Sequence, residues 1–331
     1  MSRMATADLS ELPPELLLRI TDCLNATELL PLSATNWSFR DCLVPVIFST
    51  LRVTNRRDEA KVALDLAKKH SQHITTLSFE GYASPTENDR ATRGRSWGPK
   101  GTSTLPAATR NLLTGLHLPK FRTARIRFAY DYASEDWATD PSTNGRTAGF
   151  HDFDASEFDK QIAQQEPKWK WRALMAETWL ALAQNKQIEN FETIDLPPRG
   201  TTAFINPAFQ DFLRRLKRVT LSIWGSSKGA GWRVQTFPGY IAFLSCMHNW
   251  FFKQLETTTT LALSASLDGL PGLTGTLLSG IALQRDALPL VSTLELSLTA
   301  INPNLIAFIS GHAQASEVSA STGASARPTS S

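Results

Sequence analysis

Five runs of this chain share one grammar, two apolar residues bracketing a single small or polar one: Leu77-Ser78-Phe79, Ile126-Arg127-Phe128, Leu221-Ser222-Ile223, Leu261-Ala262-Leu263 and Leu294-Glu295-Leu296. Side chains alternate across a strand, so each triplet turns both apolar groups to one face. One strand face points inward. With two further runs, strands are predicted at 51–53, 74–79, 124–128, 191–196, 219–223, 260–263 and 293–298. Three- and four-residue apolar spacing predicts helices between them at 60–69, 107–116, 171–184, 209–216 and 240–255, and another at 302–309. Strands alternating with helices favour a parallel sheet with helical crossovers. Such a unit cannot bury its apolar face alone, so stacking makes one continuous core.

The first fifty residues follow another grammar. Pro14 suits a first helical position, where its missing N–H costs nothing, and Glu15 favours the positive end of the helix dipole. Leu16, Ile20 and Leu24 then fall on one helical face, while Leu17, Leu18 and Cys23 extend the apolar surface beyond the usual stripe. Asn25-Ala26-Thr27-Glu28 is a capping-box variant before a second short helix carrying Leu29, Leu30 and Leu32. A third helix is expected from Trp37, broken at Pro45. Three helices in about 40 residues cannot bury so much apolar surface alone. They need a partner.

These residues resemble the F-box, in particular the N-terminal F-box of fungal F-box proteins. The resemblance covers Leu9 to Phe48 and rests on Leu12-Pro13-Pro14-Glu15-Leu16, Ile20, Leu24 and the Leu-rich stretch from Leu29 to Ser33. It departs near Thr35-Asn36, where many members carry Val-Cys and a basic residue. The resemblance implies docking onto the Skp-type adaptor of a Skp/cullin/F-box ubiquitin ligase through Leu12, Pro13, Leu16, Leu17, Ile20, Leu24, Leu29 and Leu32. Cullin would be reached through that adaptor. The region beyond resembles the irregular leucine-rich repeats that follow the F-box in many fungal proteins, by rhythm rather than motif, because no unit carries the full consensus.

The expected architecture is therefore α plus α/β: a three-helix F-box over 9–50 after a flexible 1–8, then a degenerate leucine-rich-repeat-like solenoid over 51–313 with parallel strands and covering helices. Insertions are expected at 83–104 and 130–168. The second interleaves carboxylates with aromatics, so Asp131, Trp137, Phe150 and Phe153 are candidates for contacting a target protein. From Gln314 onward the composition is small and polar, and disorder is expected.

At 331 residues and 42% hydrophobic, the chain can build a sizeable core. A net charge of +3 with scattered basic groups disfavours a nucleic-acid footprint. Cys23, Cys42 and Cys246 lack disulfide or zinc spacing, which fits a reducing compartment, cytoplasmic or nuclear. No secretory or membrane-spanning segment is expected.

Chemistry finds little support. Asp152-x-Asp154-x-Ser156 imitates a calcium loop but has Glu157 at its glycine position. Gly225–Gly231 lacks a phosphate-loop ending, and Gly269, Gly272 and Gly275 lack the strand of a dinucleotide cradle. Six histidines show no metal spacing. Trp171 and Trp179 share a helical face and are expected in the core. No cofactor or catalytic residue is expected. The reading is a non-enzymatic substrate receptor with an unidentified protein substrate, or alternatively a Skp-binding interaction module outside a cullin ligase.

Overall fold

The computed structural model describes residues 12–21, 23–24, 26–83, 103–129, 162–164, 166–224, 238–265, 283–284, 287–297, 299, 301, 303–312 and 317–320. A helical head comes first: α1 (Pro14–Thr21), α2 (Ala26–Thr35) and α3 (Trp37–Ile47). The amides of Leu16 and Leu17 donate to the Pro13 carbonyl at 3.0 and 3.2 Å, closing the first turn. Asn36 caps α3, its side-chain oxygen accepting from the Ser38 amide at 2.9 Å.

Two helix ends lie beyond their expected places, one of them past a proline. Pro31 lies inside α2, which runs on through Ser33–Thr35, and α3 continues past Pro45 to Ile47. A mid-helix proline removes one backbone bond. The turn after Pro45 is held by the Phe48 amide donating to Val44 at 3.0 Å and by Val46 and Ile47 packing against the head's interior. Pairwise burial outweighs the lost bond there.

The remainder is an α/β unit on one sheet. Its strands are β1 (Thr50–Thr54), β2 (Thr76–Gly81), β3 (Thr123–Phe128), β4 (Asn190–Leu196), β5 (Arg218–Ile223), β6 (Thr260–Ala265), β7 (Thr293–Ser297) and β8 (Glu317–Ala320). All seven pairings are parallel, and spatial order equals chain order. The helices α4 (Arg57–His70), α5 (Ala107–Leu113), α6 (Lys170–Ala183), α7 (Pro207–Arg214), α8 (Pro238–Trp250) and α9 (Pro303–His312) lie between successive strands. The first seven strands coincide with the predicted runs. The eighth lies within the stretch expected to be disordered, and its backbone pairs in register with β7 from Thr293↔Glu317 to Leu296↔Ala320. An open parallel edge supplies unmet amides and carbonyls, which even a small polar segment can satisfy.

Register explains the core. Leu51, Leu77, Ala124, Phe191, Val219, Leu261 and Leu294 form one rung across the sheet. Each is buried and joins one cluster with Ala63 of α4, Leu112 of α5, Trp179 of α6, Phe212 of α7, Met247 of α8 and Phe308 of α9. Trp179 is the pivot, its ring 5.3 Å from Phe128, 5.8 Å from Phe191 and 6.0 Å from Phe209. Trp171 is buried in the same cluster, so both tryptophans are packing residues. The head has a separate small core of Leu17, Leu29, Phe39 and Leu43. The Phe48 ring stacks on His70 of α4 at 3.6 Å, joining the two parts.

Two buried carboxylates hold the points where long segments re-enter the core. Glu177 of α6 accepts from the Ser103 hydroxyl and from the Thr104 and Leu105 amides at 2.6, 3.1 and 3.2 Å, and pairs with Arg110 at 3.1 Å. Glu166 accepts from the Thr202 amide and hydroxyl at 2.7 and 2.6 Å. The ends of both expected insertions, 103–104 and 166–168, are thus part of the packed body. At the end of α5, Gly115 takes φ of 82°, and a Cβ there would collide with the Asn185 side chain.

Candidate protein-docking site

The head buries only part of its apolar surface. Leu17 points inward from α1 against Phe39 and Leu43, so Leu16, one step round the helix, must face outward. Leu16 stays 46% exposed, and Ile20, one turn on and over the same face, 40%. In α2 the inward residue is Leu29, which turns Leu30 out to 56% exposure. Trp37, at the first turn of α3, is 75% exposed, with the Arg40 guanidinium 4.9 Å over its ring. That cation–π contact holds the indole flat while leaving its other face free.

Between the helices lies an apolar cleft of about 160 Å³ lined by Leu17, Ile20, Thr21, Leu24, Leu32, Phe39, Cys42 and Leu43. Ile20 belongs both to the exposed face and to this cleft. A protruding ridge beside a depression of side-chain size is the shape that a complementary apolar surface can grip. The lining carries neither carboxylate nor imidazole; its polar side chains are Thr21 and Cys42.

The expected adaptor residues separate into three groups. Pro13, Leu16 and Ile20 are exposed; Leu12, Leu24 and Leu32 are half-buried against the head's core; Leu17 and Leu29 are buried within it. Leu29 supports the surface from beneath, and Leu17 reaches the outside only as part of the cleft lining. Sequence reasoning passed over Leu30 and Trp37 as docking residues. The signal was present: once Leu29 faces inward, the 100° step places Leu30 outside, and a tryptophan directly after an N-cap lies at a helix mouth.

Residues 9–51 match the F-box-like family. The helical head is thus an F-box-like domain, whose match runs one residue past the expected boundary and into β1. No curated protein matches the chain.

The F-box-like domain leads into a sheet whose second face is polar. Arg52 pairs with Glu80 at 3.2 Å, Glu80 with Arg127 at 3.6 Å, and Arg127 with Asp195 at 4.0 Å, while Arg125 meets Glu192 at 2.8 Å. Asp195 reaches this face through a register shift in β4, where it takes φ of 51°. From β5 to β7 the same face carries Thr220, Ser222, Ala262, Ser264 and Ser297. Parallel sheets are normally buried on both sides, so a polar, partly exposed face is unusual and accessible. Asp131, Trp137, Phe150 and Phe153 lie outside the described residues, as do the 152–156 acidic motif and both glycine-rich loops. Among the described residues no three His, Cys, Asp or Glu side chains gather as a metal site, and no helix is long and apolar enough to cross a membrane.

Proposed function

We propose that this chain is a substrate receptor of a Skp/cullin/F-box ubiquitin ligase. The F-box-like domain docks on a Skp-type adaptor and through it on cullin, in the cytoplasm or nucleus. The eight-stranded body is a degenerate leucine-rich-repeat-like solenoid that recruits a target protein. Its strands pair only with their sequence neighbours, as stacked repeats do, and one sheet face remains polar and reachable. The chain performs no bond chemistry: tethering raises the effective concentration of target near the transferring enzyme.

One observation carries this reading. Leu16, Ile20, Leu30 and Trp37 stay exposed on a domain that has already spent Leu17, Leu29, Phe39 and Leu43 on its own core. The test is co-purification of the tagged full chain with a Skp-type adaptor and cullin. Wild type should bring down both, and Leu16→Asp with Ile20→Asp should lose both with unchanged circular dichroism. Adaptor captured equally by that variant refutes docking through this face; adaptor without cullin refutes the ligase role.

A further inference from the structure

One end of the sheet gathers cations. At the amino-terminal end of the strands, backbone bonds extend the ladder by one rung: Arg122 donates to Thr75, Glu189 to Arg122, Lys217 to Glu189 and Thr259 to Lys217, at 2.8–2.9 Å. The short connections that reach this rim bring Lys69, Lys120, Arg122, Lys186, Arg218 and Lys253, all exposed. None of the six makes an ion pair among the described residues. Lys217 alone on this rung is neutralised, by Glu189 at 2.9 Å. On the opposite end the exposed Arg127 is held between Glu80 and Asp195.

Helix carboxyl ends also arrive at this rim, and their dipoles lower the cost of gathering cations. That accounts for Lys69 in the last turn of α4. Lys186 follows the α6 C-cap Gln184 by two residues, but Lys120, Arg122 and Arg218 stand in loops or at strand starts, where no helix end demands them. Arg122 is also oriented, donating to the Gln187 side-chain oxygen and to the Phe121 carbonyl, both at 3.2 Å. Strands are about 4.8 Å apart, so Arg122 and Arg218, two strands apart, stand about 10 Å from each other along the rim.

We propose that this rim docks an acidic, leucine-bearing segment of a partner protein. It extends the target-recruiting half of the function proposed above and rests on it for calling that partner a target. Two exposed leucines lie on the same rim, Leu116 before β3 and Leu290 before β7. They are four strands, about 19 Å, apart, a span that about six extended residues cover. A single-stranded nucleic acid would want exposed aromatic rings for base stacking; Phe121 on this rim is buried, which leaves the imidazoles of His73 and His117.

The test is fluorescence anisotropy of the full chain with a labelled sixteen-residue peptide of Glu, Asp and Leu spaced by Gly and Ser. Controls are its Gln/Asn counterpart, a twelve-nucleotide single strand, and phosphatidylserine-containing vesicles. The acidic peptide should bind, weaken about tenfold or more between about 50 and 500 mM salt, and lose a similar factor in Lys120→Glu/Lys186→Glu/Arg218→Glu. The corresponding triple Gln variant should fall between the two. Leu116→Ser/Leu290→Ser should weaken the peptide and leave the oligonucleotide unchanged. Equal affinity for the triple reversal, or tighter binding of oligonucleotide or vesicles than of the peptide, overturns the proposal. Leu16→Asp/Ile20→Asp should bind the peptide as wild type does, so a failure here and a failure of adaptor docking are read separately.

Discussion

Truncating Leu16 and Ile20 to alanine together probes the docking surface without introducing charge. Fully burying such a side chain contributes about 1.5–3 kcal/mol, but both residues have already withdrawn about half of their surface from water. What remains for a partner to cover, less the methyl that alanine keeps, is worth about 1–2.5 kcal/mol for the pair. The dissociation constant for a Skp-type adaptor, measured by calorimetry, should therefore rise about 5- to 70-fold. The contrast is Leu17→Ala, one residue away and 5% exposed. Its truncation opens a cavity in a four-residue core and should cost about 2–5 kcal/mol of the head's own stability, seen as early loss of helical circular dichroism. The reasoning fails if the double variant binds within twofold of wild type while the head remains folded.

Three further outcomes test the body. Glu177→Ala strips the acceptor from two buried amides and one hydroxyl, so the midpoint of thermal unfolding should fall by the equivalent of about 2–4 kcal/mol, and an unchanged midpoint would contradict the anchoring role. Gly115→Ala forces a side chain into left-handed backbone against Asn185 and should destabilise by about 1–3 kcal/mol in urea titration, whereas a neutral result would mean the α5 turn relaxes freely. Burial holds the Glu166 carboxyl above its ordinary range, against the opposing hydrogen bonds from Thr202 and the charge of Arg172. The folded protein therefore binds this proton more tightly than the unfolded chain does; the resulting stabilisation is complete below the ordinary glutamate value and disappears as pH rises through the elevated one. Unfolding midpoints should fall over that window in wild type and less in Glu166→Gln; identical slopes would exclude Glu166 as the source.

Much of the body was legible because its signal is local. A residue flanked by two apolar neighbours must face the other way on a strand, so Leu77, Ile126, Leu221, Leu261 and Leu294 announced both element and orientation. Helix starts were legible for the same reason at Pro14. The proline boundaries were not: propensity alone predicts a break at Pro45, yet Leu43, Val46 and Ile47 gain more from packing than one backbone bond is worth. Nor was β8, because a short polar segment becomes a strand only when a neighbouring edge offers it partners. In the candidate site, sequence pooled Leu16, Leu17, Ile20 and Leu29 as one surface. Helix periodicity identifies an apolar face but not which of two adjacent leucines a small core will claim.

By itself, then, the order of residues determined the first seven strands, their inward faces, the crossover helices and a head with more apolar surface than its size can hide, since each follows from periodicity and short-range sterics. Tertiary structure decided which leucines are spent inside, how Glu166 and Glu177 anchor distant loops, and that lysines and arginines scattered from Lys69 to Lys253 share one rim. Those are consequences of strand order and register, which bring residues far apart in the chain within a few ångströms of one another.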